Sequence, residues 1–184
     1  LEQRGLALPE ITPIGIGKPV LLLNALYRLA AADPRIKLSV FTGLTLTRPA
    51  YGSDLERRFA QPLLDRLFGS YPEPLYVAAL RANALPANIT VTEFFLQAGV
   101  WLRNGTMQRS YTSLNYSHVA RHLQRVGTNV FAQLMAPSPD GSPRLSFSSN
   151  TDVTLDIMSY VAARRRDKLP VAIACETNAN LPYM

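Results

Sequence analysis

Three short polar segments hold the residues best suited to chemistry. Gly15-Ile16-Gly17-Lys18-Pro19 sets two glycines and a lysine just ahead of a run of strong helix formers. Free backbone N–H groups and the helix dipole favour an anion at such a place. The segment has neither the third glycine of a dinucleotide fingerprint nor the Gly-Lys-Ser/Thr of a phosphate loop, and a tight strand-to-helix turn needing positive φ also explains it. Asn115-Tyr116-Ser117-His118 brings four hydrogen-bonding side chains to the entrance of a later helix. In an open α/β sheet, helix entrances at the carboxyl ends of strands are frequent sites; an ordinary N-cap by Ser117 is the plainer alternative. Cys175-Glu176-Thr177-Asn178 follows the last apolar strand. Glu176 there could serve as base or nucleophile, or as a structural acceptor for loop amides.

Other chemistries find little support. His118 and His122 stand four apart, on one helix face, as zinc ligands could. The chain has no further histidine and no Glu between them in the metalloprotease manner, so no metal site is expected. No Ser-His-Asp set follows from spacing, and a Gly-x-Ser-x-Gly elbow is absent.

The elements that must position these residues alternate between two periods. Ile11 to Ile16 reads as a first short strand, and Pro19 sits where a helix can begin without losing a hydrogen bond. Residues 20–32 read as a mostly buried helix ended by Asp33-Pro34. A strand is predicted over 36–41, and a helix over 54–68 with Leu55, Phe59, Leu63 and Leu67 at fourfold intervals, capped by Ser53 or Asp54. Helix 75–83, strand 89–94, helix 96–102, strand 107–113 and helix 116–126 follow. Strands 128–135 and 144–147, a helix from 151 to 163 capped by Asn150 or Thr151, and a buried strand 171–175 complete the chain. Such alternation predicts an α/β fold: a three-layer open, mostly parallel sheet with helices on both faces.

Composition narrows the class. The chain has 184 residues, 47% hydrophobic and 17% charged, which suits one domain with a sizeable core and excludes whole-chain disorder. A single cysteine, Cys175, precludes an internal disulfide and makes a reducing, cytoplasmic setting the default. No apolar run is long enough for a membrane helix. The net charge is +6, and only three of the 19 basic residues are lysines (Lys18, Lys37, Lys168). Arginine is the preferred partner of phosphates and carboxylates, so an anionic ligand is indicated. The charges are too dispersed for a nucleic-acid track.

Several segments together resemble one family. Residues 15–49, VTEFFLQAGVWL (91–102), SYTSLNYSHVARHL (110–123), GTNVFAQLMAP (127–137), RLSFSSNTDVTLDIM (144–158) and VAIACETNANLPYM (171–184) look like the N-terminal domain of the acetyl-CoA hydrolase/transferase family, related to 4-hydroxybutyrate CoA-transferase. They stand in family order and span nearly the whole chain. The resemblance implies an α/β domain of the NagB/RpiA/CoA-transferase type, paired with its own C-terminal domain across an active-site cleft. It implies an acyl-CoA hydrolase or CoA-transferase that takes coenzyme A as substrate, with a carboxylic acid or water as acceptor, and no separate cofactor. A glutamate attacks the acyl-CoA thioester, giving an acyl-glutamyl anhydride and then a glutamyl-CoA thioester. That glutamate belongs to a His-Thr-Glu-Met-like motif of the second domain, which 1–184 does not contain, so this chain alone is expected to be inactive and to self-associate as a homo-oligomer. By resemblance, Gly15, Gly17 and Lys18 match the family's glycine-rich turn near the cleft. Asn115, Tyr116, Ser117 and His118 match a polar segment facing it, and Glu176 and Asn178 match the domain junction. Thr177 departs from the hydrophobic residue common there, and His122 stands where an acidic residue often follows Ala-Arg. A non-catalytic binding or scaffold module of the same fold is the alternative.

Overall fold

A computed structural model of the chain describes residues 7–11, 18–95, 97–148 and 151–184, with 7–11 and 152 described by backbone alone. In chain order the elements are β1 (Ala7–Ile11), α1 (Val20–Ala32), β2 (Lys37–Thr42), α2 (Asp54–Phe68), α3 (Tyr76–Arg81) and β3 (Ile89–Glu93). There follow α4 (Gly105–Arg109), a 3-10 turn (Tyr116–His118), α5 (Val119–Val126), β4 (Val130–Pro137), β5 (Leu145–Ser146), α6 (Asp152–Arg166) and β6 (Ala172–Thr177).

The fold is mixed α/β. Parallel pairing runs β3-β2-β1-β4-β6, and the short β5 lies antiparallel on the last two residues of β4. The order grows one way from β1 through β2 to β3, then reverses at the β1–β4 join, which one register pair, Ile11 with Val130, makes. Such a reversal leaves a crevice at the carboxyl ends of the strands.

Successive side chains of a strand point to opposite sides, and the apolar residues divide accordingly. Leu38 and Val40 of β2 and Ala132 of β4 join Leu23 of α1 and Tyr76 and Leu80 of α3 in one cluster. Phe41 and Phe131, one residue out of phase, join Val119 and Leu123 of α5 and Ile157 and Val161 of α6 in another.

Helices 20–32 and 54–68 begin and end as their sequences predict. Ser53 caps α2 by accepting from the Glu56 N–H at 3.2 Å. Other expectations need correction. The first described strand is Ala7–Ile11, ahead of the expected 11–16, whose remainder lies outside the described residues, as does Asn150. Residues 98–103 form turns instead of a helix, and the expected strand over 107–113 is the short helix α4 followed by a single bridge from Tyr111 to Glu93. The cause is Asn104: its Oδ1 accepts from Met107 N–H at 3.0 Å, and its Nδ2 donates to Leu80 O at 2.7 Å. Helix α1 buries Val20, Leu23, Asn24 and Ala30 but exposes Leu21 and Leu29. Strand β6 is half-buried to exposed along its length because β4 is its sole partner strand among the described residues.

Candidate functional site

The crevice is assembled from three pieces of chain. Val20 starts α1, and its N–H donates to Lys18 O at 2.9 Å. Strand β6 delivers Glu176 to the same place, where Oε2 accepts from the Leu22 N–H at 2.9 Å. The chain beyond β6 stays against β4 through Asn178 N–H donating to Met135 O at 3.0 Å. Loop 69–74 closes the third side. Together Lys18, Val20, Leu21, Ser70, Tyr71, Pro72, Leu134, Glu176, Thr177 and Asn178 line a cavity of about 560 Å³, a size that suits a small-molecule ligand. Lys18, Glu176 and Asn178, singled out from sequence, thus share one wall. Gly15 and Gly17 lie outside the described residues.

Behind Lys18 lies a buried polar group. Its Nζ donates to Thr42 Oγ1 at 2.5 Å and to Leu44 O. Thr42 is paired in register with Glu93 at the end of β3, and Glu93 is fully buried. Glu93 Oε1 accepts from Thr45 N–H at 3.0 Å, while Oε2 has no hydrogen-bond partner among the described residues. The Thr45 hydroxyl shares a 2.8 Å hydrogen bond with Tyr76 OH. Burial holds the Lys18 ammonium down to about 8, with Glu93 opposing the shift. It drives the Glu93 carboxyl up, against its bonds to Thr45 and the charge of Lys18. Burial likewise raises the Tyr76 hydroxyl. Sequence reasoning passed over Glu93, yet Ile89, Val91 and Glu93 share one phase of the strand, and all three are buried.

The segment 115–118 stands apart from this cavity. It forms the 3-10 turn that leads into α5, held by His118 N–H donating to Asn115 O at 2.9 Å. Neither Asn115, before the turn, nor His118, at the start of α5, makes a side-chain cap hydrogen bond, so the expected Ser117 N-cap is not used. The Tyr116 ring packs at a tilt 6.1 Å from Phe94, which follows Glu93. His118 shares a hollow of about 200 Å³ with Leu114, Arg121, His122 and Arg125. His122 is buried against Phe41 with ring centroids 4.9 Å apart. Burial, reinforced by Arg125, lowers its tendency to protonate. Two arginines beside the two histidines repel a cation, and no group of three or more His, Cys, Asp or Glu residues is placed to hold a metal among the described residues.

The described helices include none long and apolar enough to cross a membrane. Comparison with family models, with curated proteins and with solved structures finds no match to this chain.

Proposed function

We propose that this chain is the N-terminal half of an acyl-CoA hydrolase or CoA-transferase, a three-layer α/β domain of the NagB/RpiA/CoA-transferase type that forms one wall of a CoA and acyl site. The observation that carries the reading is the convergence of Lys18, Glu176 and Asn178 on one cavity at the strand reversal. Two apolar clusters fed by alternate strand residues support the layering. Coenzyme A brings a pyrophosphate and a 3′-phosphate. An anion at this cavity meets the start of α1, where Glu176 already supplies a carboxylate to a backbone N–H. It also meets Lys18, a cation below pH 8.

In this reading the chain binds and orients while the nucleophilic glutamate comes from the C-terminal domain. Glu176 is committed to Leu22 N–H and Glu93 is sealed in the interior. That commitment is also what a non-catalytic binding module of the same fold would have.

Thermal-shift titration with CoA, acetyl-CoA and a control oligonucleotide tests the proposal. A ligand at 100 times its Kd stabilises by about 2.7 kcal/mol, and 1 kcal/mol moves Tm by roughly 2–4 °C for a chain of this size. A saturable rise of several degrees with CoA, absent with the oligonucleotide, is expected. Glu176→Gln keeps the bond to Leu22 but removes a negative charge, so it should bind CoA more tightly. A flat CoA titration, or a response to the oligonucleotide alone, would overturn the reading.

A further inference from the structure

Helix α2 has 15 residues and buries only Leu64. Helices draw most of their stability in proteins from packing an apolar face. The apolar face of α2 instead points outward: Leu55 is 75% exposed, Phe59 87%, Leu63 48% and Leu67 64%. Residues four apart stack on one side of a helix, so these four make a continuous stripe. Ion pairs within the chain use several of the helix's charges, joining Asp54 to Arg57 and Asp65 to Arg48. Turning 100° per residue places Glu56 and Arg66 on the stripe's own side, at its opposite ends. Arg66 makes no ion pair among the described residues, and Glu56 uses one oxygen to accept from Gly52 N–H at 2.7 Å.

We propose that the stripe is a contact between two copies of this chain, with α2 lying antiparallel on α2 of the second copy about a twofold axis at the level of Gln61, whose own side chain lies on the far face of the helix. Positions equidistant from residue 61 then meet. Leu55 faces Leu67 of the second copy, Phe59 faces its Leu63, and Glu56 faces its Arg66, each pair occurring twice, as an isologous contact requires. A parallel pairing would set Glu56 against Glu56 and Arg66 against Arg66, and like charges oppose it. The charge order along the helix and the centring of the apolar pairs on the same residue both select a second copy over an unrelated protein. The inference is independent of the proposed CoA site. One helix pair is a small interface, so the dimer should dissociate measurably on dilution.

Sedimentation velocity of the ligand-free chain across the micromolar range is the test, with Tm measured on every variant. The wild type should shift from monomer to dimer as concentration rises. Phe59→Asp should stay monomeric with an unchanged Tm, because the ring touches little in the monomer. Glu56→Arg should weaken the dimer by about tenfold, through two symmetry-related repulsions, and adding Arg66→Glu should restore it. A wild-type monomer at all concentrations would overturn the proposal. So would a dimer indifferent to Phe59→Asp, or a double charge swap no tighter than Glu56→Arg alone. A monomer whose Tm collapses on Phe59→Asp would show the stripe covered within one chain, and would overturn it too.

Discussion

A carboxylate with one oxygen bonded and the other bare is an expensive group to bury, because the charged form gives up water without full replacement. Glu93 is in this position, and Lys18 meets the opposite half of the same problem. The sign of each effect follows from which state holds more protons. The Glu93 carboxyl titrates above its ordinary 4.5 when folded. Over that window the folded chain keeps a proton the unfolded chain has lost, so its contribution falls as pH rises. Lys18 titrates at about 8 instead of 10.5. Between those values the unfolded chain holds the extra proton, so stability rises with pH. His122, held below 6.5, adds a rise within its own window on the acid side. The variant Glu93→Gln removes the first contribution and leaves the histidine's. Urea unfolding of both proteins should therefore give a difference curve in which the wild type loses ground as pH rises above 4.5. A difference that does not change with pH would mean that Glu93 carries no such strain. The residue was legible in principle from its phase in Ile-Thr-Val-Thr-Glu. A lone acid among alternating residues nonetheless reads as solvent-facing, and only the fold shows Lys18 coming in beside it.

At the scale of elements, legibility follows from where each segment's stability originates. Helices α1 and α2 carry their own signals: Pro19 and Ser53 at the starts, Asp33-Pro34 and Gly69 at the ends. Strand β3 alternates Ile89 and Val91 with Thr90 and Thr92, and its partner β2 buries Leu38 and Val40 in one phase. Residues 97–113 have no such signal, because distant contacts set their shape, among them the bridge from Tyr111 to Glu93 and the Asn104 amide donating to the Leu80 carbonyl. The same side chain caps α4, and it is buried. Replacing it with alanine removes a cap and one donor to the Leu80 carbonyl, which keeps its bond from Asn83 N–H at 3.1 Å. Asn104→Ala should lower unfolding free energy by about 1–3 kcal/mol, measured by denaturant titration. Hydrogen exchange should quicken first at the amides of 105–110. A loss as small as that of an ordinary surface change would show that Trp101 and Met107, both buried in the same cluster, fix this segment by packing alone. Helix α2 gives the converse lesson. Its fourfold leucines and phenylalanine are plain in the sequence, but periodicity alone does not say what covers an apolar face, and none of the described elements does.

For the whole molecule, the two proposals must be mechanically separable, and the arrangement of loop 69–74 decides this. The loop leaves α2 and forms one side of the cavity, so it is the natural route by which a dimer contact would influence a ligand. At its start the loop is held to the end of α2, where Tyr71 N–H donates to Phe68 O at 2.6 Å and the two rings meet at 6.0 Å, but its other anchors come from elsewhere. Tyr71 OH donates to Leu46 O at 3.2 Å, and Asn24 of α1 clamps the loop's end from both sides. The Asn24 Nδ2 donates to Glu73 O at 3.1 Å, while its Oδ1 accepts from Leu75 N–H at 2.7 Å. Arg48 N–H donates to the Glu73 carboxylate at 2.5 Å. The wall is thus positioned by α1, by the segment after β2 and by the last turn of α2, and Phe59 lies roughly 16 Å along the chain from Ser70 at helical rise. Arg48 links Asp65 of α2 to Glu73 of the loop, but Phe59 touches neither, and effects of changes so far apart generally add. The monomeric variant Phe59→Asp should therefore show the wild-type CoA-induced Tm rise, at an apparent affinity within about twofold of the wild type. Loss of the CoA response in that variant alone would mean that dimerisation orders the loop. By reciprocity, CoA would then tighten the wild-type dimer, and sedimentation with and without the ligand would reveal it.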